Sequence, residues 1–308
     1  MRAAVIDVGS NSIKLLVADR GGDGRLAEVA SRTIEARISA GIGSKLPYLS
    51  PDGIARGLAA IAELNAEAER AGAGNVTAVA TSAVRGASNG PEFAYEIKSA
   101  TGLRLRILSG LEEADLIGRG LTTDPALASL KNFHAYDLGG GSLECLAFSG
   151  RKVRNSVSLP LGCVRLTEKF VASPGDPLGS DTEREISRQV KESLLESGFP
   201  LPVPPGFGVV GTGGTLTTIR AMVAENRGLA IETTNPMVGV NLLHEVLARV
   251  APLGLDARRK VPGLAPERAD VFPAALVTLL ALAELGGFQA FHHSFRNLRW
   301  GVAAELLG

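Results

Sequence analysis

Two short segments of the chain repeat one pattern, Asp7-Val8-Gly9-Ser10-Asn11-Ser12 near the start and Asp137-Leu138-Gly139-Gly140-Gly141-Ser142 in the second half. Each is an aspartate followed by a turn of small residues. Such a turn leaves backbone N–H groups and hydroxyls pointing outward, and glycine lets an anion come close to the backbone. Two of them facing each other would clamp a chain of phosphates. Either turn alone also reads as a plain hairpin without a ligand, since Gly and Ser are ordinary turn residues; the duplication, with an aspartate opening both copies, argues against that. Aspartates at strand ends beside phosphate turns are placed to hold magnesium, which takes few carboxylates and keeps much of its own water. Asp7 and Asp137 are the first metal candidates and Glu144 the next, with Mg²⁺ expected and Mn²⁺ as its substitute.

Three further segments carry groups suited to phosphate chemistry. In Ser109-Gly110-Leu111-Glu112-Glu113 the spacing from Ser109 to Glu112 fits a capping box, which assigns Glu112 to structure. Glu113 is then free to orient and deprotonate a water, the service a phosphoanhydride hydrolase asks of a protein base; a solvated glutamate is the competing reading. Thr81-Ser82-Ala83-Val84-Arg85 ends a strand and carries hydroxyls and a guanidinium to the edge where open α/β sheets collect ligands. Thr81 and Ser82 are candidate phosphate contacts, and Arg85 would neutralise charge on the transferring group or else form a surface ion pair. Arg165 and Lys169 extend the cationic lining or belong to a solvated helix face. Gly211-Thr212-Gly213-Gly214-Thr215 joins a strand to a helix and would offer helix N-terminal amides to an anion. It lacks the lysine of a P-loop and the spacing of a dinucleotide fingerprint. The four histidines have no metal-ligand spacing and are assigned to structure.

The elements that must position these residues alternate. Each aspartate turn follows a short apolar strand (3–6 and 133–136) and runs into a second strand (13–18 and 143–148), with a third beyond a tight turn (25–34 and 153–159). Between the copies the pattern predicts a helix from Pro51 to about Arg70, a strand at 76–81, a helix at 91–100, a strand at 103–108 and a helix from Ser109-Gly110. In the second half it predicts a helix at 181–196, a strand at 208–210 and a helix at 215–223. The apolar run 271–283 reads as a buried helix, shorter than a bilayer span, and a strand at 288–292 precedes a final helix. This is the alternation of α/β sheets.

The chain has 308 residues, 45% of them hydrophobic, with 32 basic and 32 acidic side chains. That length predicts two domains. Zero formal charge excludes a general nucleic-acid or membrane binder held by a large positive field. The two cysteines, Cys145 and Cys163, are too few for a disulfide framework and read as buried free thiols in a reducing compartment. With no signal-peptide pattern at the start, a cytoplasmic location is expected.

Taken in order, the motifs resemble a known family, the exopolyphosphatase and guanosine pentaphosphate phosphohydrolase family within the sugar kinase, heat-shock protein and actin superfamily. The resemblance runs through 7–12, 80–85, 108–114, 137–142, 161–168, 211–215 and 268–271. It implies two ribonuclease H-like (actin-like) α/β domains with an interdomain cleft, one of about residues 1–120 to which a final helix at about 296–308 returns, the other of about 121–295. It implies that Glu113 is the catalytic base and that Arg85 contacts phosphate. Asp137, Glu144 and the two Gly/Ser loops, Gly9, Ser10, Asn11, Ser12 and Gly139, Gly140, Gly141, Ser142, would lie around the metal and substrate; Asp7 as a metal ligand and Gly211, Thr212 and Gly213 as phosphate contacts rest on the residues themselves. The implied substrate is inorganic polyphosphate or a guanosine penta- or tetraphosphate. An actin-like kinase and a non-catalytic alarmone sensor are the alternatives; the motifs at 81–85 and 109–113 favour the hydrolase. A homodimer is the default for soluble enzymes of this kind, and the sequence leaves the assembly open. Two departures stand out: Leu143 replaces the family's usual threonine, and Asn297-Leu298-Arg299-Trp300-Gly301 replaces Gly-Leu-Arg-Glu-Gly.

Overall fold

The computed structural model describes residues 1–39 and 47–308. The chain divides into two compact units, Met1–Leu127 with Arg296–Gly308, and Ala128–Phe295. The first unit opens with β1 (Arg2–Val8), β2 (Ile13–Arg20) and β3 (Leu26–Ile34). Ala3, Ala4, Val5, Ile6 and Val8 are all buried, as a strand covered on both faces requires. Then come α1 (Pro51–Arg70), β4 (Asn75–Ala80), α2 (Ser82–Gly86), α3 (Gly90–Thr101), β5 (Leu105–Ile107) and α4 (Gly110–Thr122). Ser50 caps α1 by accepting the Gly53 N–H, and α4 begins with both halves of the capping box between Ser109 and Glu112. β1 pairs antiparallel with β2 and parallel with β4, in the order β3-β2-β1-β4-β5. Three meandering strands followed by two parallel ones make the ribonuclease H-like sheet. The strand expected at 76–81 ends at Ala80, and Thr81–Arg85, expected at its end, is helical beyond Thr81. The chain turns at Thr81 into the single turn of α2, the Arg85 N–H bonding the Thr81 carbonyl at 3.0 Å, because nothing in Ser82-Ala83-Val84 opposes a helix once β4 has ended.

The second unit repeats the plan with β6 (Phe133–Leu138), β7 (Leu143–Ser149), β8 (Lys152–Leu159), α5 (Cys163–Phe170), α6 (Ser180–Glu196), β9 (Gly208–Thr212) and α7 (Gly214–Arg227). It continues with β10 (Met237–Gly239), α8 (Val240–Val250), α9 (Leu255–Arg258), α10 (Phe272–Gly286) and β11 (Ala290–His293). Its order, β10-β11-β9-β6-β7-β8, contains the same five-strand arrangement with β10 added antiparallel at one edge. Even an irregularity is duplicated: the register between second and third strands shifts at Val17/Ala18 in one unit and at Ala147/Phe148 in the other, ten residues after Asp7 and Asp137 respectively. α10 is apolar almost all round and buried over most of its length, the pattern of a central core helix. Cys145 and Cys163 are buried free thiols. Among the described residues no helix is long and apolar enough to cross a membrane.

The last helix, α11 (Leu298–Leu307), belongs to the first unit and lies against α4. The two backbones touch: a Cβ at Gly301 would stand 1.8 Å from the Leu116 carbonyl oxygen, and one at Gly120 would stand 2.1 Å from that of Asn297. Arg299 donates to the Leu15 carbonyl at 2.9 Å. Arg296 donates to the carbonyls of Thr123 (2.6 Å) and Leu26 (3.1 Å) and stacks over Trp300 at 3.9 Å, so the tryptophan that departs from the family pattern has a packing role here. Gly301→Ala is expected to cost about 1–3 kcal/mol of stability through backbone displacement, measured by urea unfolding of the whole chain; an unchanged midpoint would mean that α11 can move away from α4 at no cost.

Candidate functional site

The two aspartate turns are closed by the same hydrogen bond. The Gly9 N–H donates to the Ser12 carbonyl at 3.2 Å, and the Gly139 N–H to the Ser142 carbonyl at 3.0 Å. In both, the next carbonyls are tied down from one side by a later segment. The N–H groups of Arg37 and Ser39 bond the carbonyls of Asn11 (2.7 Å) and Ser10 (3.2 Å), while the Asn11 amide donates to Glu35 at 2.8 Å. In the second unit the first amides of α5 do the same: Cys163 donates to Gly139 (3.0 Å), and Val164 and Arg165 to Gly140 (2.9 and 3.2 Å). Arg165, expected to be a substrate cation, spends its Nε on the Gly141 carbonyl at 3.1 Å, so part of its guanidinium braces the turn. A turn whose carbonyls are committed on one side presents its N–H groups on the other. Ser10, Ser12 and Ser142 are buried with these turns, while Gly9, Gly140 and Gly141 are half-exposed.

Thr81 and Ser82 are buried at the junction of β4 and α2, where the Thr81 N–H reaches back to the Val8 carbonyl at 3.4 Å. One helical turn on, Arg85 Nη1 donates to Glu113 Oε2 at 2.8 Å and to the Leu108 carbonyl at 2.8 Å. The glutamate side chain is 8% exposed and the arginine 26%. Glu113 is therefore a buried carboxylate held by a partly open guanidinium, not the solvated residue that spacing alone allows. Its neighbour Glu112 is spent on the cap and on Arg106, and the Ser109 bonds hold its carboxyl below the usual range.

The aspartates differ in their opposite strand partners. Lys14 on β2 lies across from Asp7. Burial pushes the Asp7 pKa up, and the charges of Lys14 and Arg299 oppose that rise. Asp7 Oδ1 is closed to solvent and, among the described residues, has no hydrogen-bond partner. In the second unit the residue across from Asp137 is Glu144, seven positions on in both copies, and both carboxylates are buried. Ser158 donates to Glu144 Oε1 at 2.8 Å. Directly opposed like charges are unfavourable, and a divalent cation relieves them, so Asp137 with Glu144 suits magnesium. Asp7 faces a cation instead of a second carboxylate, and the charges of Lys14 and Arg299 offset part of its burial, so it has less need of a metal ion than the Asp137–Glu144 pair. No group of three or more His, Cys, Asp or Glu side chains converges as a ligand set among the described residues; magnesium does not need one.

Gly211 and Thr212 end β9, with Thr212 across from Asp137, and Gly213 turns into α7 with φ of 101°, a conformation glycine alone adopts without strain. It is close to the aspartate: a Cβ there would stand 2.8 Å from Asp137 Oδ1. Arg268 lies over the next residue, its guanidinium 2.5 Å from where a Gly214 Cβ would be, and its Nε is buried without a hydrogen-bond partner among the described residues. A guanidinium at a helix N-terminus adds positive charge to positive dipole, a combination that suits an anion.

A model of the Ppx/GppA phosphatase family matches residues 16–308. The chain belongs to this family. It is 32% identical to exopolyphosphatase 2 of Mycobacterium tuberculosis, with 100% of this chain and 99% of that protein covered. Among solved structures it is similar to an exopolyphosphatase from Cytophaga hutchinsonii (TM-score 0.88, 22% identity, 100% of this chain and 98% of that one). It is also similar to the PPX-GPPA enzyme of Aquifex aeolicus (TM-score 0.79, 26% identity, 99% of both chains). The actin-like α/β fold and the class of activity, hydrolysis of a phosphoanhydride, follow for this Ppx/GppA protein. Lys14 and Arg268 are the cations that sequence reasoning left out of the site. Lys14 was visible as the counterpart of Glu144, seven residues after its aspartate; for Arg268 the signal was only its place in a motif.

Proposed function

We propose that this Ppx/GppA protein is an exopolyphosphatase that removes the terminal phosphate of inorganic polyphosphate. The observation that carries the reading is the buried Glu113 carboxylate bonded to Arg85: a base and a phosphate-binding cation set side by side in a phosphoanhydride hydrolase. The end-to-end similarity to an exopolyphosphatase of M. tuberculosis supports polyphosphate over the nucleotide. In the reaction, a water oxygen forms a bond to the terminal phosphorus while the bridging P–O bond breaks. Glu113 takes the water proton, and the bond's electron pair leaves on the shortened chain. Arg85 has five N–H donors and, among the described residues, bonds Glu113 and Leu108 through Nη1. It therefore reaches phosphate oxygens while keeping the base aligned, and in a loose transition state such placement supplies most of the catalysis. The glycine-serine turns bind phosphate oxygens through their N–H groups. Asp137 and Glu144 would hold Mg²⁺, whose charge would offset that of the phosphates.

Phosphate release by the purified chain with Mg²⁺, from long polyphosphate, short polyphosphate and guanosine pentaphosphate in parallel, tests this. Turnover on polyphosphate is expected to exceed that on the nucleotide. Release from guanosine pentaphosphate alone would make the protein an alarmone hydrolase, and silence on all three would overturn the substrate assignment.

A further inference from the structure

Behind the Gly213–Gly214 turn runs a line of polar contacts that the proposed hydrolysis does not use. Arg220 on α7 is 4% exposed, a guanidinium withdrawn from water. Its Nε donates to Thr234 Oγ1 at 2.9 Å and its Nη2 to the carbonyls of Ile231 (2.7 Å) and Thr234 (2.9 Å). Nη1 faces His293 Nδ1 at 3.1 Å. A guanidinium only donates, so Nδ1 accepts and the ring proton sits on Nε2. That nitrogen lies 3.3 Å from Thr217 Oγ1, whose own single proton goes to the Gly213 carbonyl at 3.1 Å. The hydroxyl must therefore accept from the ring. Each direction is set, from Arg220 through His293 and Thr217 to Gly213. Phe295 closes the other side, its ring 4.7 Å from that of His293 and 4.8 Å from the guanidinium. A second ring proton would set donor against donor and cation against cation; burial, then Arg220 and His292, hold the His293 pKa down to about 3.

The far end of this line is a peptide that needs holding. Gly213 has more backbone freedom than any residue with a side chain, and its carbonyl receives the Thr217 N–H at 3.3 Å as well as the Thr217 hydroxyl. In a trans peptide the C=O and the following N–H point in opposite directions. A Gly213 carbonyl fixed toward α7 thus aims the Gly214 N–H away from it, on the side of the turn that an anion would approach. We propose that His293 is a positioning residue whose neutral ring, acting through Thr217, locks the Gly213–Gly214 peptide with its N–H turned to a substrate phosphate. Only the identity of that anion rests on the exopolyphosphatase reading; the lock is a property of the turn.

Three variants of the full chain test it: Thr217→Val, which keeps shape and leaves His293 in place, His293→Leu, and His293→Gln, which retains an N–H near the position of Nε2. Hydrogen exchange at the Thr217 amide reports the Gly213 carbonyl without any turnover. Both Thr217→Val and His293→Leu are expected to speed that exchange by about tenfold, the effect of one lost hydrogen bond. They should also raise KM for long polyphosphate by about tenfold with kcat within about twofold, as loss of uniform binding does. His293→Gln should recover most of both effects, and the double variant should be no worse than the poorer single one, since the two residues act in series. Unchanged exchange and KM, with only a lower melting temperature, would reduce His293 to a core residue and overturn the proposal. Should the wild type release no phosphate from polyphosphate, the substrate reading fails, and the exchange measurement alone still decides the lock.

Discussion

Glu113→Gln is expected to lower kcat for phosphate release from polyphosphate by about 10²–10⁴-fold, the usual worth of a general base, with substrate affinity little changed. The amide keeps an oxygen for Arg85 to bond, so the guanidinium stays in place and what is lost is the ability to accept a proton. Glu112→Gln is the internal control. That carboxylate is adjacent in sequence but engaged by Ser109 and Arg106, and its loss should reach the cap of α4 without touching kcat. Measured by phosphate release and by binding of a non-hydrolysable analogue, full turnover in Glu113→Gln would remove the mechanism, whatever the substrate proves to be. Equal loss in both variants would point instead to disruption of the helix start they share.

The contrast between these two glutamates shows what the sequence could and could not reveal. Ser109 and Glu112 are three residues apart, and a local rule about orphaned helix N–H groups is enough to place them. The paired aspartate turns were legible for the same reason, since an aspartate, small residues and two flanking apolar strands are all local signals. What links Glu113 to Arg85 is 28 residues long in sequence and depends on α2, to which the sequence pattern assigns no element. Lys14 opposite Asp7 needs the strand register. Arg268 over Gly214 and His293 beside Thr217 need the tertiary fold, the latter pair lying 76 positions apart. β10, with three residues, is too short to show a period. For Arg165 the sequence shows a cation beside the turn or on a solvated helix face, and the hydrogen bond to Gly141 that ties its Nε to the turn is a tertiary contact.

The difference between the two halves leads to the other large effect. The two copies of the pattern share their aspartate, but seven residues on one copy carries lysine and the other glutamate. Glu144→Gln is therefore expected to act in opposite directions with and without metal. In chelator it removes one of two carboxylates opposed across β6 and β7, and the amide oxygen can still accept from Ser158, so the melting temperature should hold or rise. With Mg²⁺ the wild type should gain stability as a ligand-bound protein does, about 2.7 kcal/mol at a hundredfold excess over Kd, while the variant gains little and loses most of its phosphate release. Asp7→Asn should keep the magnesium-dependent gain, because Asp7 stands across from Lys14 and not from a second carboxylate. Thermal unfolding of the three proteins in EDTA and in Mg²⁺ separates the cases. A gain that survives in Glu144→Gln and vanishes in Asp7→Asn would move the ion to the first unit and make the Asp137–Glu144 pair a structural burden without a ligand.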